Sequence, residues 1–207
     1  MKHHISTLAL LLCANLAYGT NTIKGVFSYT KRAPEASIIY IESDKEVEPV
    51  TIRVNQVNKE FSENIVIAPA GSKITFDNSD TVQHNVFASD SAAGIEFDSK
   101  LSDPGNSADM DVNWSDNTFI SVGCKIHPKM RLWVGNLKSQ HVAVAEFAKG
   151  ELNKEVSLEG VPAEAQSIKV WIPRFDSAVV DIAPGESKTI DLTRKGKTYG
   201  SLELTFD

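Results

Sequence analysis

The chain has 207 residues, a net charge of −6 at pH 7 and a hydrophobic fraction of 42%. The excess of acidic side chains argues against nucleic acid or an anionic membrane as a partner. Beyond the amino terminus no segment is apolar over the length that would span a bilayer, so we expect no membrane insertion. A chain of this size and composition has room for one large or two small globular domains.

Residues 1–19 have the pattern of a secretory signal peptide. Lys2 gives a short basic start, an apolar run covers residues 5–17, and small residues precede Thr20. We therefore expect the mature chain to begin near Thr20 and to be periplasmic or secreted. Its cleavage also removes one positive charge, which makes the mature chain slightly more acidic.

The two cysteines lead to different expectations. Cys13 lies within the predicted leader and leaves a lipoprotein signal as an alternative, although Leu11 and Leu12 stand where such a signal has small residues. Cleavage leaves Cys124 in an oxidising compartment without a disulfide partner in its own chain. Such a lone thiol is a buried apolar side chain, half of a disulfide between two chains, or a metal ligand.

Short alternating apolar runs predict β-strands through the first two thirds of the chain. The runs are rich in Val, Ile, Phe and Thr, and clusters of Gly, Pro, Asn and Asp separate them. The predicted strands are residues 23–29, 37–41, 51–57, 64–68, 73–76, 82–88, 118–124 and 131–137. Residues 89–115, dense in Asp, Ser, Gly and Asn, are predicted to form an irregular connection across one edge of a sandwich.

A second set of strands follows a predicted domain boundary at residues 138–141. These strands are residues 142–147, 155–158, 167–172, 178–182, 187–192 and 200–206. Their spacing predicts a second small β-sandwich over residues 141–207, after a first β-domain over residues 20–138. Trp171, Ile172 and Phe175 are either core residues of this second module or a binding surface.

The segment Cys124-Lys-Ile-His127-Pro-Lys-Met130 lies between two predicted strands and has the spacing C-x-x-H-x-x-M. A loop between adjacent strands can bring a thiolate, an imidazole and a thioether around one point. This donor set suits copper, because sulfur favours Cu(I) and imidazole nitrogen accepts Cu(II). Zinc more typically draws on several cysteines or histidines. The loop therefore predicts a copper site.

Such a site needs a second histidine from elsewhere in the chain. With the leader removed, the histidines are His84, His127 and His141. His141 lies at the predicted domain boundary, where we expect a surface residue, whereas His84 lies in the apolar, strand-like run of residues 82–87. A lone histidine on a strand is more often structural. The C-x-x-H-x-x-M cluster later in the chain nevertheless favours His84 as a ligand.

The His84-Asn85 pair, followed by the C-x-x-H-P-x-M loop, resembles the blue-copper cupredoxin family. The short loop is similar to that of its amicyanin-like members, and the resemblance covers residues 60–137 of this chain. Bacterial cupredoxin-domain proteins labelled methylamine utilisation proteins share the same pattern. The resemblance implies a Greek-key β-sandwich that binds one copper ion, with a weak axial bond from the methionine. The implied ligands are His84, Cys124, His127 and Met130.

The resemblance also implies roles for residues beside the ligands. The Asn85 side chain would fasten the ligand loop and its backbone N–H would donate to the Cys124 sulfur, while a turn or edge residue is the alternative for Asn85. Pro128 has no N–H and stiffens the loop. Ile126 retains an N–H where the similar loop has proline, so we hypothesise a second backbone hydrogen bond to the sulfur.

These features predict a blue copper protein that transfers single electrons between transient redox donor and acceptor proteins and has no enzymatic activity. The alternative is a periplasmic copper carrier or copper-resistance protein. The methionines are Met1, Met110 and Met130, so the Met-rich tracts of copper carriers are absent from the sequence. A copper enzyme needs further copper held by several histidines. In the second module, residues 158–162 and 170–171 resemble a carboxypeptidase-regulatory-like domain.

Overall fold

The computed structural model describes residues 21–207, which form 17 β-strands. The prediction of an all-β chain is confirmed. The predicted signal peptide and Cys13 lie outside the described residues. Within the described part, no helix is long and apolar enough to cross a membrane.

The strands are β1 Thr22–Tyr29, β2 Ala36–Ile41, β3 Thr51–Val57, β4 Glu60–Phe61, β5 Ile65–Ile67, β6 Lys73–Asn78, β7 Phe87–Asp90, β8 Ile95–Asp98, β9 Ser107–Asp111, β10 Thr118–Gly123, β11 Arg131–Asn136, β12 His141–Glu146, β13 Asn153–Glu159, β14 Gln166–Trp171, β15 Ala178–Ile182, β16 Ser187–Arg194 and β17 Lys197–Phe206.

Strands β3 to β11 form one sandwich, which we call the central sandwich. Its two sheets have the strand orders β4-β3-β6-β9 and β5-β11-β10-β7-β8. Alternate side chains of the two sheets point towards each other, as the period of two in the sequence predicts. The core between the sheets includes Val54, Ile74, Phe76, Ile120, Leu132 and Val134.

The remaining strands form a second sandwich, which we call the terminal sandwich. Its sheets have the strand orders β13-β1-β17-β16 and β12-β2-β14-β15. Strand β1 is central, because it pairs with β13 on one side and β17 on the other. The core between these sheets includes Phe27, Ile39, Ile168, Ile172, Leu202 and Phe206. Ile172 is therefore a core residue of this module.

The strand pairing differs from the predicted division at residues 138–141. Residues 20–138 were expected to form one domain, but β1 and β2 pair with β12, β13, β14 and β17 of the carboxyl-terminal half. The chain thus starts in the terminal sandwich, builds the whole central sandwich, and returns. Apolar alternation shows which face of a strand is buried and carries no information on its neighbours, so this pairing had no signal in the sequence.

The two sandwiches contact each other through a third apolar layer. Strand β2 is buried on both faces: Ile39 faces the terminal core, whereas Ile38 and Tyr40 face the central sandwich. Across this layer the Phe119 and Trp171 rings are stacked, with centroids 3.8 Å apart. Trp171 is thus an interface residue. The four sheets thus stack as four layers. Apolar side chains fill the three spaces between them: the two sandwich cores and the layer between the sandwiches.

The segment between residues 89 and 115 is more regular than predicted. It contains β8 and β9 together with the end of β7. Strands β8 and β9 lie at sheet edges and are half exposed. They therefore contain many polar residues, and their composition resembles that of a loop. Residues 82–86, predicted as a strand, form only an isolated bridge in which His84 pairs with Ser102. That bridge brings His84 to the end of the sandwich where the β10–β11 loop lies.

Candidate metal centre

The loop of residues 124–130 connects two paired strands. Gly123 of β10 lies opposite Arg131 of β11, so the seven residues between them close at one end of the central sandwich. The Met130 N–H donates to the His127 carbonyl over 2.9 Å, which folds the loop back on itself. As a result Cys124 and Met130, at its two ends, are both buried.

His84 is held on the facing segment by its own backbone. Its N–H donates to the Ser102 carbonyl over 3.1 Å, and the Ser102 N–H donates to the His84 carbonyl over 2.7 Å. The Asn78 side chain donates to the Ser102 and Val82 carbonyls, each over 3.0 Å. With 0% of its surface exposed, His84 projects from a fixed and water-free position.

Three ligand atoms converge at this end of the sandwich. His84 Nδ1 lies 3.0 Å from His127 Nδ1, and Cys124 Sγ lies 3.8 Å from the first nitrogen and 3.7 Å from the second. Within residues 21–207 these are the residues whose histidine, cysteine or carboxylate ligand atoms converge as a metal site requires. The structure thus brings together three residues that the sequence predicted to meet across 43 positions.

The triangle fits a metal ion. Bonds of about 2.0 Å to imidazole nitrogen and about 2.3 Å to thiolate sulfur leave a common point between three atoms at these separations. A thiolate and two imidazoles also match the donor preference of copper more closely than that of magnesium or calcium, which take oxygen ligands. Donor geometry and donor chemistry therefore both agree with a copper ion.

Met130 stands at the far end of the loop from Cys124. Its side chain is 3% exposed, and the backbone hydrogen bond to His127 fixes its position relative to that ligand. A thioether is a weak, soft donor. Its role as a fourth, axial ligand stays a prediction.

Asn85 connects the His84 segment to the ligand loop. Its Oδ1 accepts the Lys125 N–H over 2.8 Å and lies 3.5 Å from Cys124 Sγ, while its Nδ2 donates to Asp98 over 3.1 Å. The side chain thus fastens the loop, and the role that the resemblance gives Asn85 beside a bound metal stays a prediction. The expected backbone N–H donors to the sulfur, from Asn85 and Ile126, form no such bond among the described residues, where the sulfur instead contacts the Asn85 side chain.

Sequence reasoning missed Asp80. Its Oδ2 lies 3.1 Å from His84 Nε2, the ring nitrogen that faces away from the cysteine. The same oxygen accepts the Lys59 N–H over 2.8 Å, and Oδ1 accepts the Thr81 N–H over 2.7 Å. A carboxylate behind a metal-binding imidazole orients the ring and raises its basicity. The only signal in the sequence was an Asn-Ser-Asp turn four residues before His84.

The environment sets the protonation of two of these groups. Hydrogen bonds from the Lys59 and Thr81 backbones, and from His84, lower the pKa of Asp80 to about 2. Burial lowers the pKa of His127, and the neighbouring His84 and Lys59 lower it further. At neutral pH Asp80 is therefore ionised and His127 is neutral, with a lone pair free for a metal.

The surface above the centre is apolar at its middle. Ile126 is 49% exposed and Leu101 is 56% exposed, and both line a shallow depression together with Asn85. Lys125 beside them is paired with Asp98 at 2.8 Å. Outside this region, His141 Nδ1 lies 3.2 Å from the Glu159 carbonyl on the terminal sandwich, so His141 takes no part in the centre.

Comparison with protein-family profiles and with curated protein sequences finds no match. Similar solved structures include a purple cupredoxin from Nitrosopumilus maritimus, with 18% identity and a TM-score of 0.35 over 42% of this chain and 98% of that one. Amicyanin from Paracoccus versutus has 21% identity and a TM-score of 0.36 over 48% of this chain and 96% of that one. A copper-containing nitrite reductase from Thermus scotoductus SA-01 has 18% identity and a TM-score of 0.37 over 47% of this chain and 25% of the reductase.

With identities of 18–21% and TM-scores of 0.35–0.37, these structures carry no conclusion about this chain, and the resemblance found in the sequence stands apart from them. The β-sandwich and the group of His84, Cys124 and His127 are the two features that the resemblance predicts. Because the identities are low, the function proposed below depends on the geometry of this group.

Proposed function

We propose that the chain is a secreted, type 1 copper protein that transfers single electrons. The observation that carries this proposal is the convergence of His84 Nδ1, His127 Nδ1 and Cys124 Sγ within 3.8 Å of one another. These three residues would hold one copper ion, with Met130 as a weaker fourth ligand. Copper bound in this way supplies a reversible one-electron couple between Cu(I) and Cu(II).

The protein contributes a rigid and dry environment. The backbone bridge of His84 to Ser102, the Asn85 tether to Lys125 and the paired ends of the loop all restrict the ligands. Ligands that do not move between oxidation states reduce the reorganisation that accompanies each electron transfer. Burial of Cys124 and His84 also excludes water from two sides of the centre.

The centre approaches the surface on the side of His127. This residue is the least buried of the three, and exposed Ile126 lies beside it in the chain. A small apolar area suits partners that dock weakly and leave quickly. We propose that the redox donor and acceptor are proteins that dock there in turn. Lys129 lies on the loop and Arg131 directly follows it in β11, and both favour acidic partner surfaces.

Electron transfer is favoured over copper delivery by the surroundings of the methionines. Met110 is 2% exposed in the core of the central sandwich, so no pair of accessible thioethers exists in the described chain. A carrier that passes Cu(I) on by ligand exchange needs such soft, mobile donors.

The terminal sandwich adds no second group of histidines, so we propose no enzymatic activity. The predicted leader supports a periplasmic or secreted location.

The test is to add Cu(II) to the purified mature protein and record visible absorption and electron paramagnetic resonance. We expect one equivalent of copper, an intense thiolate-to-copper charge-transfer band and narrow copper hyperfine splitting. Cys124→Ser should abolish the band. His141→Gln, at a histidine outside the centre, should leave it unchanged. A wild-type protein that binds copper without any charge-transfer band would contradict the proposal.

A further inference from the structure

The terminal sandwich contains a cleft far in sequence from the metal centre. Three segments enclose it: residues 31–35 between β1 and β2, residues 173–175 after β14, and the β16–β17 hairpin with Arg194 and Tyr199. Its volume is about 490 Å³. Cavities of roughly 300–1,000 Å³ are the usual size of small-molecule sites.

The cleft is cationic, although the whole chain is acidic. Lys31, Arg32, Arg174 and Arg194 line it, whereas Glu35 is its single acidic residue. Glu35 pairs with Arg174 at 2.9 Å. Across residues 21–207, the other three cationic side chains form no ion pair within 4.0 Å and no hydrogen bond, although Arg32 is close enough to Glu35 to help lower the pKa of that carboxyl group. A chain with a net charge of −6 thus concentrates unpaired positive charge at one concave place.

Arg174 is positioned with donors to spare. Its Nη2 donates to both oxygens of Glu35, over 3.0 and 2.9 Å. The Nε–H and both Nη1–H donors have no partner in the described chain, so one edge of the guanidinium has free donors for a ligand. Arg174 also has a φ of 67°, a conformation that non-glycine residues adopt at a cost of about 1 kcal/mol or more.

The walls of the cleft are tied to one another. Thr30, at the end of β1, donates to the Tyr199 carbonyl through both its N–H and its hydroxyl. Asp176, next to the Arg174 turn, accepts the Lys195 N–H over 3.1 Å and the Gly196 N–H over 3.2 Å. The hairpin, the turn and the 31–35 segment are therefore fixed before any ligand arrives, which lowers the entropy cost of binding.

An apolar surface accompanies the charges. Tyr199 is 39% exposed, and its ring packs against the edge of Phe175 with centroids 5.8 Å apart. Phe175 in turn contacts Tyr29 of the terminal core at 6.0 Å. A ring supported in this way offers a flat, rigid contact to an aromatic or sugar ring.

We propose that this cleft is a binding site for a small anionic ligand whose carboxylate or phosphate group is attached to a ring. The anionic group contacts the free donors of Arg174 together with Arg32 and Arg194, while the ring lies against Tyr199. This site is separate from the metal centre, and its occupancy does not depend on copper.

The experiment uses the mature full-length protein at about 0.15 M salt, where weak surface attraction is screened. Amide chemical shifts are followed during titration with phenyl phosphate, benzoate, inorganic phosphate and benzyl alcohol. We expect saturable binding of a ring-bearing anion with a dissociation constant of about 1 mM or below. The ringless anion and the neutral alcohol should bind at least tenfold more weakly. Comparison of phenyl phosphate with benzoate identifies which anionic group the site prefers.

Two variants test the assignment. Arg32→Gln with Arg194→Gln should weaken binding of the preferred probe at least tenfold, and shifts in the wild type should be confined to the three cleft segments. Lys45→Gln removes an exposed charge elsewhere and should bind like the wild type. Equal affinity in the cleft variant, shifts spread over the surface, or binding of none of the small anions would overturn the proposal. Amide shifts of the terminal sandwich outside the three cleft segments that match those of the wild type show that the fold of each variant is intact.

Discussion

Asp80 Oδ2 lies 3.1 Å from His84 Nε2, while Nδ1 of the same ring lies 3.8 Å from Cys124 Sγ. Because Asp80 is ionised, its oxygen accepts the Nε2 proton and leaves the lone pair on Nδ1, towards the metal centre. The Lys59 and Thr81 backbones hold the carboxylate in turn. The β3–β4 turn is therefore linked to the metal centre through two hydrogen bonds.

The first prediction concerns this carboxylate. Asp80→Asn keeps the shape of the turn but removes the carboxylate charge that accepts the Nε2 proton of His84 and orients its ring. We expect the Cu(II) affinity, measured by competition with a chelator, to fall about ten- to a hundredfold. Asp103→Asn removes a carboxylate that contacts Gln83 instead and should have no effect. Equal affinities in the two variants would show that Asp80 only shapes the turn.

The second prediction concerns the tether at Asn85. Asn85→Ala leaves the Lys125 N–H without its acceptor and separates the ligand loop from the His84 segment. Loss of a buried hydrogen bond typically costs about 1–3 kcal/mol in the free energy of unfolding. Denaturant unfolding of the metal-free protein measures it. Asn113→Ala, at an exposed asparagine, should stay within about 0.5 kcal/mol. A stable Asn85 variant would mean that the loop needs no tether.

The third prediction concerns pH. Hydrogen bonds from the Gly196 N–H, the Thr193 hydroxyl and the Lys195 N–H lower the pKa of Asp176. A folded pKa below the unfolded value of about 3.9 means that the group stabilises the fold above that pH, and that this stabilisation is lost as the pH falls through the folded pKa. Asp176→Ala should therefore lower the melting temperature at pH 7.

The difference in melting temperature between wild type and Asp176→Ala should narrow as the pH approaches about 3. Asp111→Ala is the control, since this exposed carboxylate makes no hydrogen bond within the described chain. A difference that stays constant from pH 7 to 3 would show that the charge of Asp176 contributes nothing.

Local pattern was sufficient to predict most of the strands and the closeness of Cys124 to His127, but it missed β8 and β9 and gave a strand where residues 82–86 form only a bridge. The loop spacing places Cys124 and His127 on one short connection, and a soft donor set restricts the metal that can fit. Asp80 was not predicted, because a spacing of four residues brings two side chains together on a helix, whereas in an irregular segment it does not indicate contact. Its role depends on the bridge between His84 and Ser102, a contact between separate segments.

The division of the chain was harder to predict for a related reason. The run Ala36–Ile41 is apolar at nearly every position, which indicates a strand buried on both faces. The apolar run does not show that one face of the strand packs in the terminal sandwich and the other against the central sandwich. Pairing of β1 with β13 joins residues more than 120 positions apart, and no turn signal marks a contact at that separation.

The fourth prediction concerns the layer between the sandwiches. The Trp171 ring is stacked on Phe119 at an interplanar angle of 8°, and a Cβ atom at Gly135 would lie 2.5 Å from the Phe119 ring. Trp171→Ala leaves a cavity in this layer and should cost about 3–5 kcal/mol in unfolding free energy. Val179→Ala, at a 56% exposed position on the same sheet, should cost under about 0.5 kcal/mol. Similar costs would show that the layer is loosely packed.

The fifth prediction uses two truncated chains. A chain of residues 20–140 keeps β1 and β2 but lacks β12, β13, β14 and β17, with which they pair. A chain of residues 44–138 contains every strand of the two central sheets. Both lack Trp171, whose ring contacts Phe119 and Trp133 in the full chain, and they differ in the two unpaired strands. Unpaired apolar strands associate between molecules.

We therefore expect the chain of residues 20–140 to aggregate in size-exclusion chromatography. The chain of residues 44–138 should remain more soluble and give the copper spectrum of the full protein, since all the residues that hold the metal centre lie within it. If the longer chain is monomeric and the shorter one fails to bind copper, then β1 and β2 support the centre directly and the central sandwich is not an independent unit.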